Sequence, residues 1–141
     1  MAEPKEQEEF IDCTGRRRLF AFHTYRNGPI LAIRATEVGK EFGYEFLVAG
    51  APDNHPQLLA ELRTRIREAL ARRHIIRSKP SRPGVPQWTM LTDQLEGRVT
   101  FDPDEKDLCV VIDGEKVAWH EFKELFRTYE GFWFRLTFFS A

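Results

Sequence analysis

Apolar and polar residues alternate in several short runs of this chain, the period-two signature of strands with one buried side. Arg18 to Tyr25 reads as a first strand and Ile30 to Thr36 as a second. Between them, Arg26-Asn27-Gly28-Pro29 predicts a tight hairpin, because Asn-Gly supplies the positive φ angles such a turn needs. A third strand is predicted over Phe42 to Ala49, with Phe42, Tyr44, Phe46 and Val48 on one face and Gly43 and Glu45 on the other. Gly50-Ala51-Pro52-Asp53-Asn54 then breaks the sheet. Asp53 or Asn54 is placed to cap a helix, and Pro56 suits its first turn, where no backbone donor is needed. Leu58, Leu59, Leu62, Ile66, Ala69 and Leu70 recur at helical spacing through about residue 73, so this helix should lie across one sheet face.

Periodicity stops at Ser78 to Gln87, where Pro80, Pro83, Gly84 and Pro86 exclude a helix and disfavour a central strand. The segment 78–87 reads as an extended crossover, with Trp88 anchoring the chain afterwards. Gly97 to Asp102 and Asp107 to Asp113 predict a second hairpin, and Asp113-Gly114 a further turn. Val117 leads into a helix expected from about Trp119 to Tyr129, with Phe122, Leu125, Phe126 and Tyr129 inward and Gly131 as a left-handed stop. A last strand is expected over Phe132 to Phe139, with Phe132, Phe134, Leu136 and Phe138 on one face and Trp133, Arg135 and Thr137 on the other. The fold class is therefore α+β: mainly antiparallel sheet with two helices, in the order βββα-ββαβ. Residues 1–15 are polar and expected to form a flexible tail. Residues 16–141 are expected to form one domain, its half-units 16–77 and 88–141 sharing a single core because each is thin alone; two loosely coupled lobes hinged at the proline segment are the alternative.

Composition changes this picture little. A chain of 141 residues with 42% apolar and 30% charged residues suits one globular domain, and twelve Phe, three Trp and three Tyr supply much of its core volume. No apolar run is long enough to span a bilayer, and the acidic start lacks the features of a signal peptide. Cys13 and Cys109 lie far apart without a CxxC motif, which points to reduced thiols in the cytoplasm.

The stretch from Ile112-Asp113-Gly114 through Trp119-His120-Glu121-Phe122, followed by Thr128-Tyr129-Glu130-Gly131-Phe132, resembles a family of uncharacterised bacterial proteins. The resemblance covers roughly the last 30 residues and implies no activity, cofactor or site residue. One departure from that pattern is physical: Ala118 stands where Ser or Thr would open the helix three residues before Glu121. The capping box thus loses its side-chain acceptor.

Charge is unevenly laid out. Residues 54–82 carry eight bases against two acids, net +6, and residues 93–130 carry eleven acids against five bases, net −6. On the Arg-rich helix over 56–74 and just after it, Arg63, Arg67, Arg72, Arg73 and Arg77 could track phosphates, with Arg16 to Arg18 extending the patch. A solvated helix face, with Glu68 and Arg72 paired one turn apart, is the plainer account. Asp102-Pro103-Asp104-Glu105-Lys106-Asp107 imitates a calcium loop, yet Lys106 takes an acidic slot and the required glycine and closing Glu are missing. His120 and Glu124 lie one helical turn apart with no third ligand at a defined spacing, so no metal site is assigned. No GxSxG motif or phosphate loop occurs, and no catalytic residue or cofactor is assigned. Pro80 to Pro83 and Pro83 to Pro86 match PxxP, but a proline-stiffened connection is the better account, because such short matches arise readily in linkers.

What remains is a spare aromatic surface. Trp133 and Phe139, with Arg135 between them, share the face of the last strand opposite its main apolar stripe. The expectation is therefore a non-enzymatic interaction or regulatory module that binds a protein partner or a second copy through Trp133, Arg135 and Phe139. A nucleic-acid binder using the Arg-rich helix is the first alternative and an unrecognised enzyme the second; no membrane partner is expected. Restoring the missing cap by Ala118→Ser should raise stability by about 0.5–1 kcal/mol. A thermal melt checks this, and a clear fall in Tm would mean that the helix does not start at this residue.

Overall fold

The computed structural model describes residues 6–77 and 88–140; the expected crossover over 78–87, with its PxxP patterns, lies outside the described residues. The chain divides into two compact units, Met1–Arg72 and Arg73–Ser140. The fold is α+β with antiparallel sheets, as the alternation predicts.

In the first unit, strands β1 (Glu6–Ile11), β2 (Arg17–Asn27), β3 (Ile30–Glu37) and β4 (Glu45–Gly50) form a four-stranded antiparallel meander in sequence order. Helix α1 (His55–Leu70) packs on β3 and β4. Its stripe of Leu58, Leu62, Ile66 and Leu70 closes over Phe20, Phe22, Leu31, Ile33, Ala35, Phe46 and Val48. The two central residues of the β2–β3 turn are Gly28 and Pro29, since Asn27 pairs with Ile30. Gly28, at φ 59°, supplies the left-handed backbone that a two-residue hairpin requires at its first central position. Asn54 occupies the N-cap of α1 without a side-chain hydrogen bond, so the expected cap is not made.

The polar start of the chain, expected as a tail over 1–15, instead supplies edge strand β1. Its sequence, EQEEFI, has no apolar alternation; tertiary contacts recruit it. It pairs with β2 from Glu6↔Phe22 to Ile11↔Arg17, and Phe10 is buried edge-to-face on Phe20 at 5.6 Å. At the end of this sheet a buried ionic cluster forms. Arg18 donates to Asp12 Oδ2 and to Glu37 Oε2, both at 3.0 Å, with its guanidinium over the Tyr44 ring. A side chain at Gly43 would put its Cβ 2.8 Å from Glu37, so the turn before β4 requires glycine to admit that carboxylate. Burial opposes ionisation of Asp12. Hydrogen bonds from the Thr14 hydroxyl and amide, from Arg18 and from the Arg16 amide outweigh it and lower its pKa to about 2.

In the second unit, β5 (Ile75–Arg77) pairs with β6 (Trp88–Met90), while β7 (Arg98–Asp102), β8 (Asp107–Ile112) and β9 (Glu115–Ala118) form a three-stranded antiparallel meander. Helix α2 (Trp119–Glu124) and a 3-10 turn, Arg127–Tyr129, follow, so the helix expected to reach Tyr129 stops one turn early. The apolar cluster buried here consists of Ile75, Trp88, Val110, Ile112, Val117 and Leu125. Where one shared core was expected, the buried residues fall into two clusters.

The unit boundary also moves, from residue 77 to Arg72. The cause is Asp113, whose backbone is left-handed at φ 54° in the β8–β9 turn. Its Oδ2 accepts the amides of His74 and Ile75 at 2.7 and 3.0 Å, and its Oδ1 lies 2.8 Å from His74 Nδ1. These bonds bring Ile75 into the second cluster.

Ala118 caps α2 as the sequence predicts, in extended conformation. Glu121 Oε1 accepts its amide at 3.1 Å, and the alanine offers no acceptor in return. Gly131 stands at φ 85°, the expected left-handed stop. The strand expected over Phe132 to Phe139 does not form: residues 132–140 join no sheet and are exposed throughout.

A carboxylate whose pKa falls on folding adds stability above its ordinary value, 3.8 for Asp12, and loses that share as pH drops toward 2. Asp12→Asn should therefore cost on the order of 1–2 kcal/mol at pH 7, with a smaller cost at pH 2.5. Denaturant unfolding at the two pH values measures it; an equal cost at both would remove the ionic account.

Candidate interaction surface

The β7–β8–β9 meander presents two faces fixed by its register. Val99 pairs with Val110, Phe101 with Leu108, and Val110 with Val117, so these side chains share one face. Helix α2 packs on β8 and β9, and Leu125 and Phe122 join the cluster around Val110, Ile112 and Val117. That cover stops short. Val99, Leu108 and Phe101 continue the apolar face and remain 48%, 49% and 56% exposed. Trp119 and Phe126, which flank Phe122 in a three-ring aromatic row, are also exposed. No strand lies beyond β7 in this sheet among the described residues.

The opposite face carries the buried Cys109 and Ala118 and a charge pair, in which Lys116 Nζ donates to Asp102 Oδ2 at 2.9 Å. The Lys116 hydrogen bond holds the Asp102 carboxyl below its ordinary value, against the effect of burial. Asp102 also accepts the Asp104 amide at 3.0 Å, so the stretch resembling a calcium loop is a β7–β8 turn closed on its own carboxylate. Burial, then the neighbouring Asp102 charge, push the Cys109 thiol up, which makes it a poor nucleophile. Glu124 pairs with Arg127. No group of three or more His, Cys, Asp or Glu among the described residues is arranged to hold a metal.

Beyond Gly131, the second unit ends in a segment, 132–140, without regular secondary structure. Phe132 stays edge-to-face with Tyr129 at 5.5 Å, and the Tyr129 hydroxyl donates to the Thr92 carbonyl. From there every large side chain is exposed: Trp133 at 98%, Phe134 at 89%, and Leu136, Phe138 and Phe139 each by two thirds or more. Trp133, Arg135 and Phe139 thus lie on one exposed segment, without the strand face that was expected to align them. The stripe expected to face a core, Phe132 to Phe138, is exposed with them. Val99, Phe101 and Leu108 were missed as functional candidates. The 99/101 alternation and the apolar residue at 108 were visible, but nothing in the sequence shows how far α2 reaches.

The basic residues are engaged locally. Arg63 Nε donates to both Glu8 oxygens, at 3.0 and 3.1 Å, and Arg67 lies over the Phe10 ring at 5.8 Å. Together these fasten β1 to α1. Arg65 bonds Glu61 and the Leu47 carbonyl, Arg73 donates to the Ile75 carbonyl, and Arg77 lies over Trp88. The Arg72 amide donates to the Ala69 carbonyl at the end of α1. Arg63, Arg67, Arg73 and Arg77 each contact a neighbour within their own unit.

Replacing Arg63 by Ala should lower stability by about 1 kcal/mol, and a double-mutant cycle with Glu8→Gln should recover a coupling of about 0.5–1 kcal/mol. Additive effects in urea unfolding would mean that the pair does not hold β1.

Two family models match the chain, one for each part of it. Residues 2–71 match a Domain of unknown function (DUF7686), and residues 74–141 match a Domain of unknown function (DUF7713). No curated protein and no solved structure matches. The gap between the two matches, residues 72 and 73, coincides with the junction of the two structural units, so the chain is similar to two domain families of unknown function placed in tandem.

Proposed function

We propose that this chain is a non-enzymatic protein-interaction module whose docking element is the segment 132–140. The observation that carries the reading is six large apolar side chains within eight consecutive residues, Phe132 to Phe139, all exposed and outside any sheet. Burying each such side chain is worth about 1.5–3 kcal/mol, so an extended aromatic segment in water favours any partner that covers it. Its alternation of Phe132, Phe134, Leu136 and Phe138 with Trp133, Arg135 and Thr137 suits addition to a sheet edge: backbone bonds supply affinity and alternate side chains supply selectivity. Trp133 and Arg135 are of the residue types that dominate binding energy at protein interfaces.

The phosphate-binding alternative draws less support, because Arg63 and Arg67 are engaged by Glu8 and Phe10. A bacterial cytoplasm is the setting proposed with this reading, supported by two free thiols and by the resemblance of the last 30 residues. No helix among the described residues is long and apolar enough to cross a membrane.

A photo-crosslinking residue placed at Trp133 in the full chain tests the proposal. The expected outcome is covalent adducts to protein that are absent with the crosslinker at exposed Glu41 and that disappear in the Phe134→Ser, Leu136→Ser background. The same adduct pattern from Glu41, or no adduct from Trp133, would remove the docking role.

A further inference from the structure

We infer that the partner is a second copy of this chain: the segment 132–140 of each copy adds as a strand beyond β7 of the other and lays its apolar stripe over Val99, Phe101 and Leu108. This rests on the docking role proposed above and names its occupant.

Donor and acceptor are both present in one chain, and both lie in the unit Arg73–Ser140. The acceptor is the end of a three-stranded sheet, apolar on the face that α2 leaves open, with Val99 and Phe101 two residues apart on its last strand. The donor lies outside any sheet and repeats apolar residues at the same spacing of two: Phe132, Phe134, Leu136 and Phe138. Open apolar edges of this kind template the addition of a further strand.

Charge agrees with this pairing. The segment 132–140 carries one charge, Arg135. With the Phe stripe on the Val99 and Phe101 side, strand parity puts Arg135 on the Thr100 and Asp102 side. That face carries Arg98 at the start of β7 and Asp102, paired with Lys116, at its end. Beyond Asp102 the turn of Asp104, Glu105, Lys106 and Asp107 is net acidic, so Arg135 pairs favourably toward that end of the strand.

A chain that gives a strand and takes one can close a two-fold dimer by reciprocal exchange, leaving no spare donor or acceptor. The area suffices. At about 150–250 Å² for each covered Phe, the six stripe Phe of two copies, together with Leu136 and the acceptor surface they cover, reach roughly the 1,600 Å² typical of a stable interface. Within one copy, by contrast, the segment stays exposed on both faces, so its own sheet does not take it up.

The test is light scattering on the full chain at tens of micromolar, with donor variants (Phe134→Glu, Leu136→Glu) and acceptor variants (Phe101→Glu, and separately Val99→Lys). Dimeric wild type, monomeric donor and acceptor variants, and dimers regained on mixing a donor variant with an acceptor variant constitute the expected result. Both acceptor positions are about half exposed, and unchanged circular dichroism confirms their folding. A dimer that survives both acceptor changes overturns the inference. A monomeric wild type overturns it as well. In that case, Trp133 adducts to another protein leave the docking role standing, whereas their absence removes both.

Discussion

The exposed apolar surface of the second unit follows from a mismatch of lengths. Helix α2 has six residues, about 9 Å at 1.5 Å per residue, while the six residues of β8 extend about 20 Å, with β7 beside them. A helix that short seals Val110, Ile112 and Val117 and cannot also reach Val99, Phe101 and Leu108. The chain then turns tightly through Arg127–Tyr129, held at Tyr129 by the Thr92 carbonyl, and passes Gly131 into the aromatic segment. Everything proposed about function grows from that uncovered strip and from the residues that leave the unit beside it.

The first unit shows the same problem solved within one chain. Helix α1 has sixteen residues, about 24 Å, long enough to cover the inner face of a four-stranded sheet from Leu58 to Leu70. The ends of that sheet are closed by charge. Arg63 and Arg67 hold β1 through Glu8 and Phe10, and Arg18 bridges Asp12 and Glu37 where the apolar interior stops. A buried guanidinium between two carboxylates contributes little net energy over an apolar replacement, but removing one member strands the others. Its role here is to fix which strand ends meet. A buried cluster of twelve residues in this unit, against six in the second, marks the second as the thinner of the two. A thin core gains most from added cover, and the strand exchange proposed above would supply it.

Much of the fold was legible in the sequence because local pattern and final environment agree. The alternation in β2, β3 and β4, the helical repeat in α1, the Asp113-Gly114 turn and the Gly131 stop each follow from the residues themselves. The failures have a common origin in contacts distant in sequence. EQEEFI looks like solvated chain and becomes β1 because Phe22, Arg63 and Phe20 receive it from elsewhere. Asp113 draws residues 74 and 75 across a separation of nearly forty positions, which no local pattern encodes.

The candidate surface divides in the same way. Period-two patterning by itself determined that residues 132–139 are apolar on alternate positions and aromatic on both sides, and that no motif for chemistry accompanies them; the strand it predicts there does not form. Whether such a segment lies inside or outside depends on how much sheet the neighbouring helix covers, and only the tertiary structure decided it. Alternation specifies which side chains share a face, whereas burial is a property of what lies opposite. Beyond Phe132, which rests on Tyr129, the large side chains of residues 132–140 are left exposed, although their pattern reads as a core strand.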